Sequence, residues 1–186
     1  MSLDVNRFRP WLMLLARTRM DGVLRSKIDP SDIVQQTLLL ATRDAPQFRG
    51  QTDAELAGWL RSILGHVLSH EVRSCSALKR DVGLQVSVQS LLEASAQRLD
   101  DFLATTQTSP SQAVIFDEER LRLAGALERL APDYCEVLVL RHIEGLSFPM
   151  IAERMNRNAG AVRMLWVRAL AQLKDAMGDQ GSFPAS

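Results

Sequence analysis

Few side chains in this sequence are placed to make or break a bond. His66 and His70 stand four residues apart with Glu71 beside them, a spacing that turns two imidazoles to one side of a helix, but no third ligand follows at metal spacing. Cys75 and Cys135 are the only cysteines. Neither has an acid–base partner to raise a thiolate, and neither has a second Cys or His beside it to make a zinc knuckle. No glycine-rich loop is present to cradle a phosphate. The expectation is a protein that is not an enzyme, with no metal site and no cofactor. The groups that remain for chemistry are guanidiniums, and their chemistry is binding. Arg157, Arg163, Arg168 and Lys174 follow one another without an intervening acid, and Arg61, Arg73, Lys79 and Arg80 face Glu71 alone. Such side chains grip phosphates or the acceptor edge of guanine.

The chain as a whole hides this. Its 186 residues carry 22 Lys plus Arg and 22 Asp plus Glu, so the formal charge is zero. The distribution is uneven, because between Asp81 and Arg120 the acids Asp81, Glu93, Asp100, Asp101, Asp117, Glu118 and Glu119 face only Arg98 and Arg120. Neutral overall therefore means two basic segments separated by an acidic one. Hydrophobic residues make up 46%, too many for wholesale disorder, yet no run approaches the roughly 20 apolar residues of a membrane-spanning helix. No secretion signal is read at the N-terminus, and two distant cysteines fit a reducing compartment, so a cytoplasmic location is expected.

Helices must position the basic segments. Aromatics are only 5%, alternation typical of strands is almost absent, and apolar residues recur every three or four positions. The pattern predicts an all-α protein. A first helix runs from about Val5 to Met20, with Phe8, Trp11, Leu12 and Leu15 on one face and Gly22 as its stop. A second opens at Asp29-Pro30-Ser31-Asp32 and carries Ile33, Val34, Thr37, Leu38 and Ala41. A third begins near Thr52 or Asp53, with Glu55 in its first turn, and runs past Trp59, a core anchor on this reading, to Val72. From Ser74 to about Ser111 the pattern loosens around Leu91, Leu92, Leu99, Phe102 and Leu103, which reads as a partly ordered acidic linker between two bodies. Ser109-Pro110-Ser111 then begins a helix that reaches Leu130. Three more follow, at about Pro132–Ile143, Ser147–Met155 and Ala159–Met177.

The last two of these have the order of a helix-turn-helix. Leu146, Ile151, Ala152 and Met155 form one side of the first, and Val162, Trp166, Ala169 and Leu173 one side of the second. Ala152 is small enough for a close crossing, and Asn156 suits a turn with positive φ. Arg163 and Arg168 project from the far side of the second helix, where a major groove could receive them. Pattern alone leaves an ordinary helical hairpin open.

Leu146-Ser147-Phe148, Ile151-Ala152-Glu153-Arg154-Met155 and Gly160-Ala161-Val162-Arg163 resemble the C-terminal DNA-binding region of bacterial sigma factors of the extracytoplasmic-function (ECF) group. Independently, Asp29 to Thr37 resembles the helix by which these factors grip the clamp of RNA polymerase. Gln47-Phe48-Arg49-Gly50, Trp59-Leu60-Arg61-Ser62-Ile63 and Glu71-Val72-Arg73 resemble their region for the downstream promoter element. Within the group the resemblance is to the planctomycete-like branch. It implies a region-2-like domain over residues 1–75, a linker over 76–110, a region-4-like helix-turn-helix domain over 111–178 and a tail over 179–186. It also implies core RNA polymerase and promoter DNA as partners, and leaves room for an anti-sigma factor. Carried over residue by residue, polymerase contact falls to Asp32, Val34, Gln35 and Gln36, the downstream element to Arg61, His66 and Arg73, and the upstream element to Arg157, Arg163 and Arg168. The chain departs from the family at Gln36, where glutamate is common, at His66, where asparagine is common, and at Met164 and Leu165, where serine and arginine are common. Two other classes fit the residues alone: a helix-turn-helix regulator acting as a dimer without polymerase, and a helical protein-interaction adaptor.

Overall fold

A computed structural model describes residues 4–19, 28–75, 82–106 and 113–177, and every regular element among them is helical. The expected stop at Gly22, Lys79 and Arg80 of the first basic segment, the helix start at Ser109-Pro110-Ser111 and the tail lie outside the described residues. No helix among the described residues is long and apolar enough to cross a membrane.

Local chemistry starts each helix. A 3-10 turn, Val5–Phe8, leads into α1 (Arg9–Arg19), and the Asp4 carboxylate accepts the Asn6 amide at 3.2 Å. Helix α2 (Pro30–Asp44) opens as its sequence predicts: Asp29 accepts the Ser31 amide at 2.8 Å, and Pro30 occupies the first turn, where a missing N–H costs nothing. Helix α3 (Asp53–Cys75) begins with a reciprocal cap. Thr52 Oγ1 accepts the Glu55 amide at 3.2 Å, while the Glu55 carboxylate accepts the Gln51 and Thr52 amides at 2.8 and 3.0 Å. These bonds, the Gln51 amide first, hold the Glu55 carboxyl below the usual glutamate range. Packing then orients the three helices on one another, with Phe8, Trp11, Leu12, Leu15, Ile33, Val34, Leu60, Leu64 and Leu68 fully or almost fully buried. The buried Thr37 and Ser69 hydroxyls donate to the Ile33 and Gly65 carbonyls at 2.8 and 2.7 Å, so neither leaves a polar group unsatisfied.

The described part of the acidic linker is a long helix, α4 (Val82–Thr106). The chain divides into two compact units, Met1–Ala94 and Ser95–Ser186, so the division falls inside α4. In the first unit Leu92 is buried beside Gly65 of α3, where a Cβ would overlap the Gln89 side chain. In the second unit Ser95, Ala96, Leu99, Phe102 and Leu103 are buried. Asp100 accepts two bonds from the Arg120 guanidinium, Nε at 2.7 Å and Nη2 at 2.8 Å, in a pair mostly withdrawn from water.

Arg120 belongs to α5 (Ala113–Arg129), which is followed by α6 (Pro132–Leu138), α7 (Phe148–Arg154) and α8 (Ala159–Met177). Helix α6 continues into a wide π turn over Val139–Ile143, in which the Glu144 amide reaches the Val139 carbonyl at 2.9 Å. Gly145, at φ +75°, then turns the chain toward α7. Helix α8 packs on α5, α6 and α7 through Val162, Ala169 and Leu173. Its C-terminal carbonyls are held by arginines of α5, Arg122 on Met177 at 3.0 Å and Arg129 on Ala176 at 3.3 Å.

The placement of Leu99, Phe102, Leu103 and Asp100 predicts that a fragment beginning at Ser95 is more stable than one beginning at Ser111. Burial of the three apolar side chains and the half-buried ion pair should make the difference about 3–5 kcal/mol. Urea unfolding of both fragments by circular dichroism measures it, and equal midpoints would place the linker helix outside the second unit.

Candidate nucleic-acid interface

The hairpin of α7 and α8 is closed by backbone bonds around one left-handed residue. Met155 and Arg157 amides donate to the Ile151 and Ala152 carbonyls at 2.9 and 2.8 Å, and Asn156 between them has φ +51°. Asn158 then starts α8, its Oδ1 accepting the Ala161 amide at 2.7 Å. Ile151, Ala152 and Val162 are buried between the two helices. The far side of α8 is open, and Arg163 and Arg168 both lie exposed on it. Among the described residues neither makes an ion pair, whereas Arg157 is bound to the Asp133 carboxylate in an exposed pair. The Arg163 guanidinium lies 5.6 Å from the centre of the Phe148 ring, which also carries Arg141 at 4.9 Å.

Behind this face three rings fix the helix. Trp166 of α8 donates its indole N–H to His142 Nε2 at 3.0 Å, and His142 stacks on Phe102 of α4 with centroids 4.1 Å apart. Arg98, one turn earlier on α4, donates to the Ile143 and Glu144 carbonyls at 3.3 and 2.9 Å, closing the end of the π turn. Phe148 meets Trp166 edge-on at 5.6 Å. The outer face of α8 thus rests on side chains from α4, the π turn and α7 together.

In the first unit α2 separates its faces cleanly. Asp32, Gln35 and Gln36 are exposed, as a partner surface requires. Val34 is fully buried, which corrects its placement among the contact residues: it is core beneath that face and cannot touch a partner. Sequence reasoning missed Leu39, which is 70% exposed and lies on the same stripe as Asp32 and Gln36 at helical spacing. Its one signal is that it stands a turn beyond the polar pair and off the period of the buried residues.

On α3 the three residues expected together are not together. His66 is exposed and Arg73 half-buried, about 20° apart around the helix, but Arg61 lies about 120° or more from both. It is half-buried beside Ala57 and Leu68 in helical spacing, and its Nε has no hydrogen-bond partner among the described residues. His66 Nδ1 sits 2.8 Å from the Ser62 carbonyl, and His70 Nδ1 3.4 Å from Glu71. Trp59, expected as a core anchor, is only half-buried and packs on Phe48 with centroids 5.0 Å apart, on the same side of α3 as His66.

Residues 120–173 match the family described as Sigma-70, region 4, a span running from α5 into α8. Over longer stretches the chain is similar to sigma factors. It is 30% identical over 169 residues to an RNA polymerase sigma-E factor of Streptomyces avermitilis, covering 87% of this chain and 82% of that one. It is 27% identical over 175 residues to the ECF RNA polymerase sigma factor SigD of Mycobacterium tuberculosis, covering 94% and 76%. With RNA polymerase sigma factor CarQ of Myxococcus xanthus it shares 28% over 167 residues, 89% and 81% of the two chains.

The Trp166 bond requires a neutral imidazole at His142, since only an unprotonated nitrogen can accept it. Burial, and then the nearby Arg141 charge, lower this pKa to about 4. The folded value lies below the unfolded one, so the stabilisation is complete above about pH 6.5 and is lost as pH falls through about 4. By this linkage His142 should contribute about 3 kcal/mol to the loss of stability between pH 6.5 and 4. His142→Gln, which keeps an acceptor for Trp166 but does not titrate, should show that much less slope in denaturant unfolding between pH 6.5 and 4. Matching slopes in the two proteins would remove His142 from the acid response.

Proposed function

We propose, because the chain belongs to the ECF sigma factors of bacterial RNA polymerase, that α2 takes the core enzyme and α8 takes the upstream promoter element. A sigma factor directs promoter-specific initiation and catalyses no step itself, so what must be assigned to this chain is surfaces. The observation that carries the assignment is the exposed, unpaired Arg163 and Arg168 on the outer side of a capped helix whose inner side is anchored by Trp166, Ala169 and Leu173. This is a helix built to be inserted, with charge for phosphates and guanine edges.

In this reading Asp32, Gln35, Gln36 and Leu39 form the polymerase face, with Val34 supporting it from the core. His66 and Arg73 serve the melted downstream element, and the half-buried Phe48–Trp59 pair offers an aromatic surface for unstacked bases. Arg61 supports α3 from another side. Residues 1–75 and 111–178 act as the two binding bodies, with α4 adding structure to each, and the protein works in the cytoplasm. An anti-sigma factor would act by covering one of these faces. Arg157 joins the upstream contacts only by exchanging Asp133 for phosphate, an exchange that costs little for an exposed pair.

Two measurements test the two faces. Asp32→Arg and Leu39→Glu should each weaken association with core polymerase by about 1–3 kcal/mol without loss of helical content, because both sit at a partner surface and not in the core. Unchanged co-elution with the core enzyme would take α2 out of the interface. On DNA, Arg168→Ala should cost about 1–3 kcal/mol and relax sequence preference, whereas Arg163→Ala should weaken all sequences alike and lower the salt slope by about one. Promoter titrations at two ionic strengths, on matched and scrambled upstream elements, separate the two roles. Identical selectivity in Arg168→Ala would reassign it to phosphate.

A further inference from the structure

The outer face of α8 is not a continuous basic stripe. At about 100° per residue, Arg163 and Arg168 stand about 140° apart, and Val167, Ala171 and Met164 fall within the arc between them. Met164 is 54% and Val167 50% exposed, although each is large and apolar. Gly160 and Ala171, in line with them, are also exposed. From Gly160 to Ala171, ahead of Lys174 and Asp175 in the last turn, the midline that faces outward is therefore small and apolar, and the arginines lie on its shoulders.

From this arrangement we infer that Met164 and Val167 read thymine methyl groups in the major groove of the upstream element. The inference rests on the reading of α8 as the inserted helix and adds what its midline selects. The flanking arginines point to DNA as the occupant, since a polyanion satisfies both at once. In the major groove the one apolar feature of a base edge is the thymine C5 methyl; guanine, cytosine and adenine present donors and acceptors that thioether and isopropyl groups would desolvate without replacement. Gly160 and Ala171 leave nothing longer on the midline beside Met164 and Val167, the longer Lys174 and Asp175 standing in the last turn, so the two apolar side chains can reach van der Waals contact. Residues three apart on a helix lie about 5–6 Å from each other, and base pairs are stacked about 3.4 Å apart. The two methyls accordingly belong to thymines within about two base pairs of one another, beside the guanine expected under Arg168.

The test uses the full chain bound to core RNA polymerase and the upstream elements that this complex selects from a randomised pool. Each thymine of the selected element is then replaced in turn by deoxyuridine, which removes the methyl and nothing else. Loss of about 3–10-fold in affinity is expected at one or two positions, the size of burying one methyl group. In Met164→Ala or Val167→Ala the same replacement should cost less than about 2-fold at the matching position. Both residues are exposed, so these variants keep the fold. If every deoxyuridine element binds within 2-fold of its parent while Arg163→Ala with Arg168→Ala still abolishes selection, α8 reads DNA but not methyls and the inference fails. If the double arginine variant also selects and binds like the parent, α8 is not the inserted helix and the function proposed for it fails first. Unaltered DNA binding by Met164→Gln together with weakened capture of a protein inhibitor would reassign the midline to a protein partner and equally overturn the inference.

Discussion

The hydrogen bond from Trp166 to His142 is the constraint on which the second unit turns. It fixes the rotation of α8 about its own axis, because an indole half-buried at mid-helix has only one direction in which its N–H meets a neutral imidazole. Phe102 stacks on the far side of the imidazole and so ties the linker helix to the same point. Rotating α8 by one residue would carry the indole about 100° away and bring Arg163 or Arg168 toward the core, which burial of an unpaired charge forbids. The outer face of α8 is therefore set from inside. The wide turn at Val139–Ile143 belongs to this constraint, since the residue it accommodates brings His142 beneath Trp166 while Arg98 closes the carbonyls it leaves.

The first unit solves a related problem with simpler means. Helix α2 has to present Asp32, Gln35, Gln36 and Leu39 outward while supplying Ile33, Val34, Thr37, Leu38 and Ala41 to the core. Its start is fixed by Asp29 and Pro30, so the phase of both faces is set within the first turn. Thr37, the one polar residue on the inner face, is made compatible with the core by returning its hydroxyl to the Ile33 carbonyl.

The helix-turn-helix was legible because its signals are local: a period of apolar residues, Asn156 for the left-handed turn, and limits that fell at Ala159 and Met177 as read. The start of α2 was legible for the same reason. The linker helix was only half legible, since its buried seam runs Leu92, Ser95, Ala96, Leu99, Phe102 and Leu103, and two of its positions are small residues that a hydrophobic pattern does not register. What makes Ser95 and Ala96 core is the close approach of neighbours, a tertiary fact. Arg61, His66 and Arg73 share a role only through the family resemblance, and helical geometry separates the first from the others. Val34 lies inside the motif that resembles the clamp-binding helix, yet the period of its buried neighbours puts it inward. His142 carried no signal at all, because its acceptor role depends on Trp166, 24 residues later.

Charge neutrality is compatible with the two DNA-facing surfaces proposed above because several acids are held in pairs with arginine. Asp100 is taken up by Arg120, Asp133 by Arg157 and Glu144 by Arg154, pairs that lie within the second unit and tie its elements together. The arginines left over on α8 are those on its outer side, so local potential is positive although the chain sums to zero. A uniformly basic protein would bind any duplex through phosphate contacts alone. Exposed acids on the same unit, Glu128, Glu153 and Asp175 among them, limit non-specific attraction to duplex DNA, so a larger share of the binding energy must come from base edges. That division suits a factor whose contribution to the polymerase is discrimination between promoters and not affinity for DNA as such.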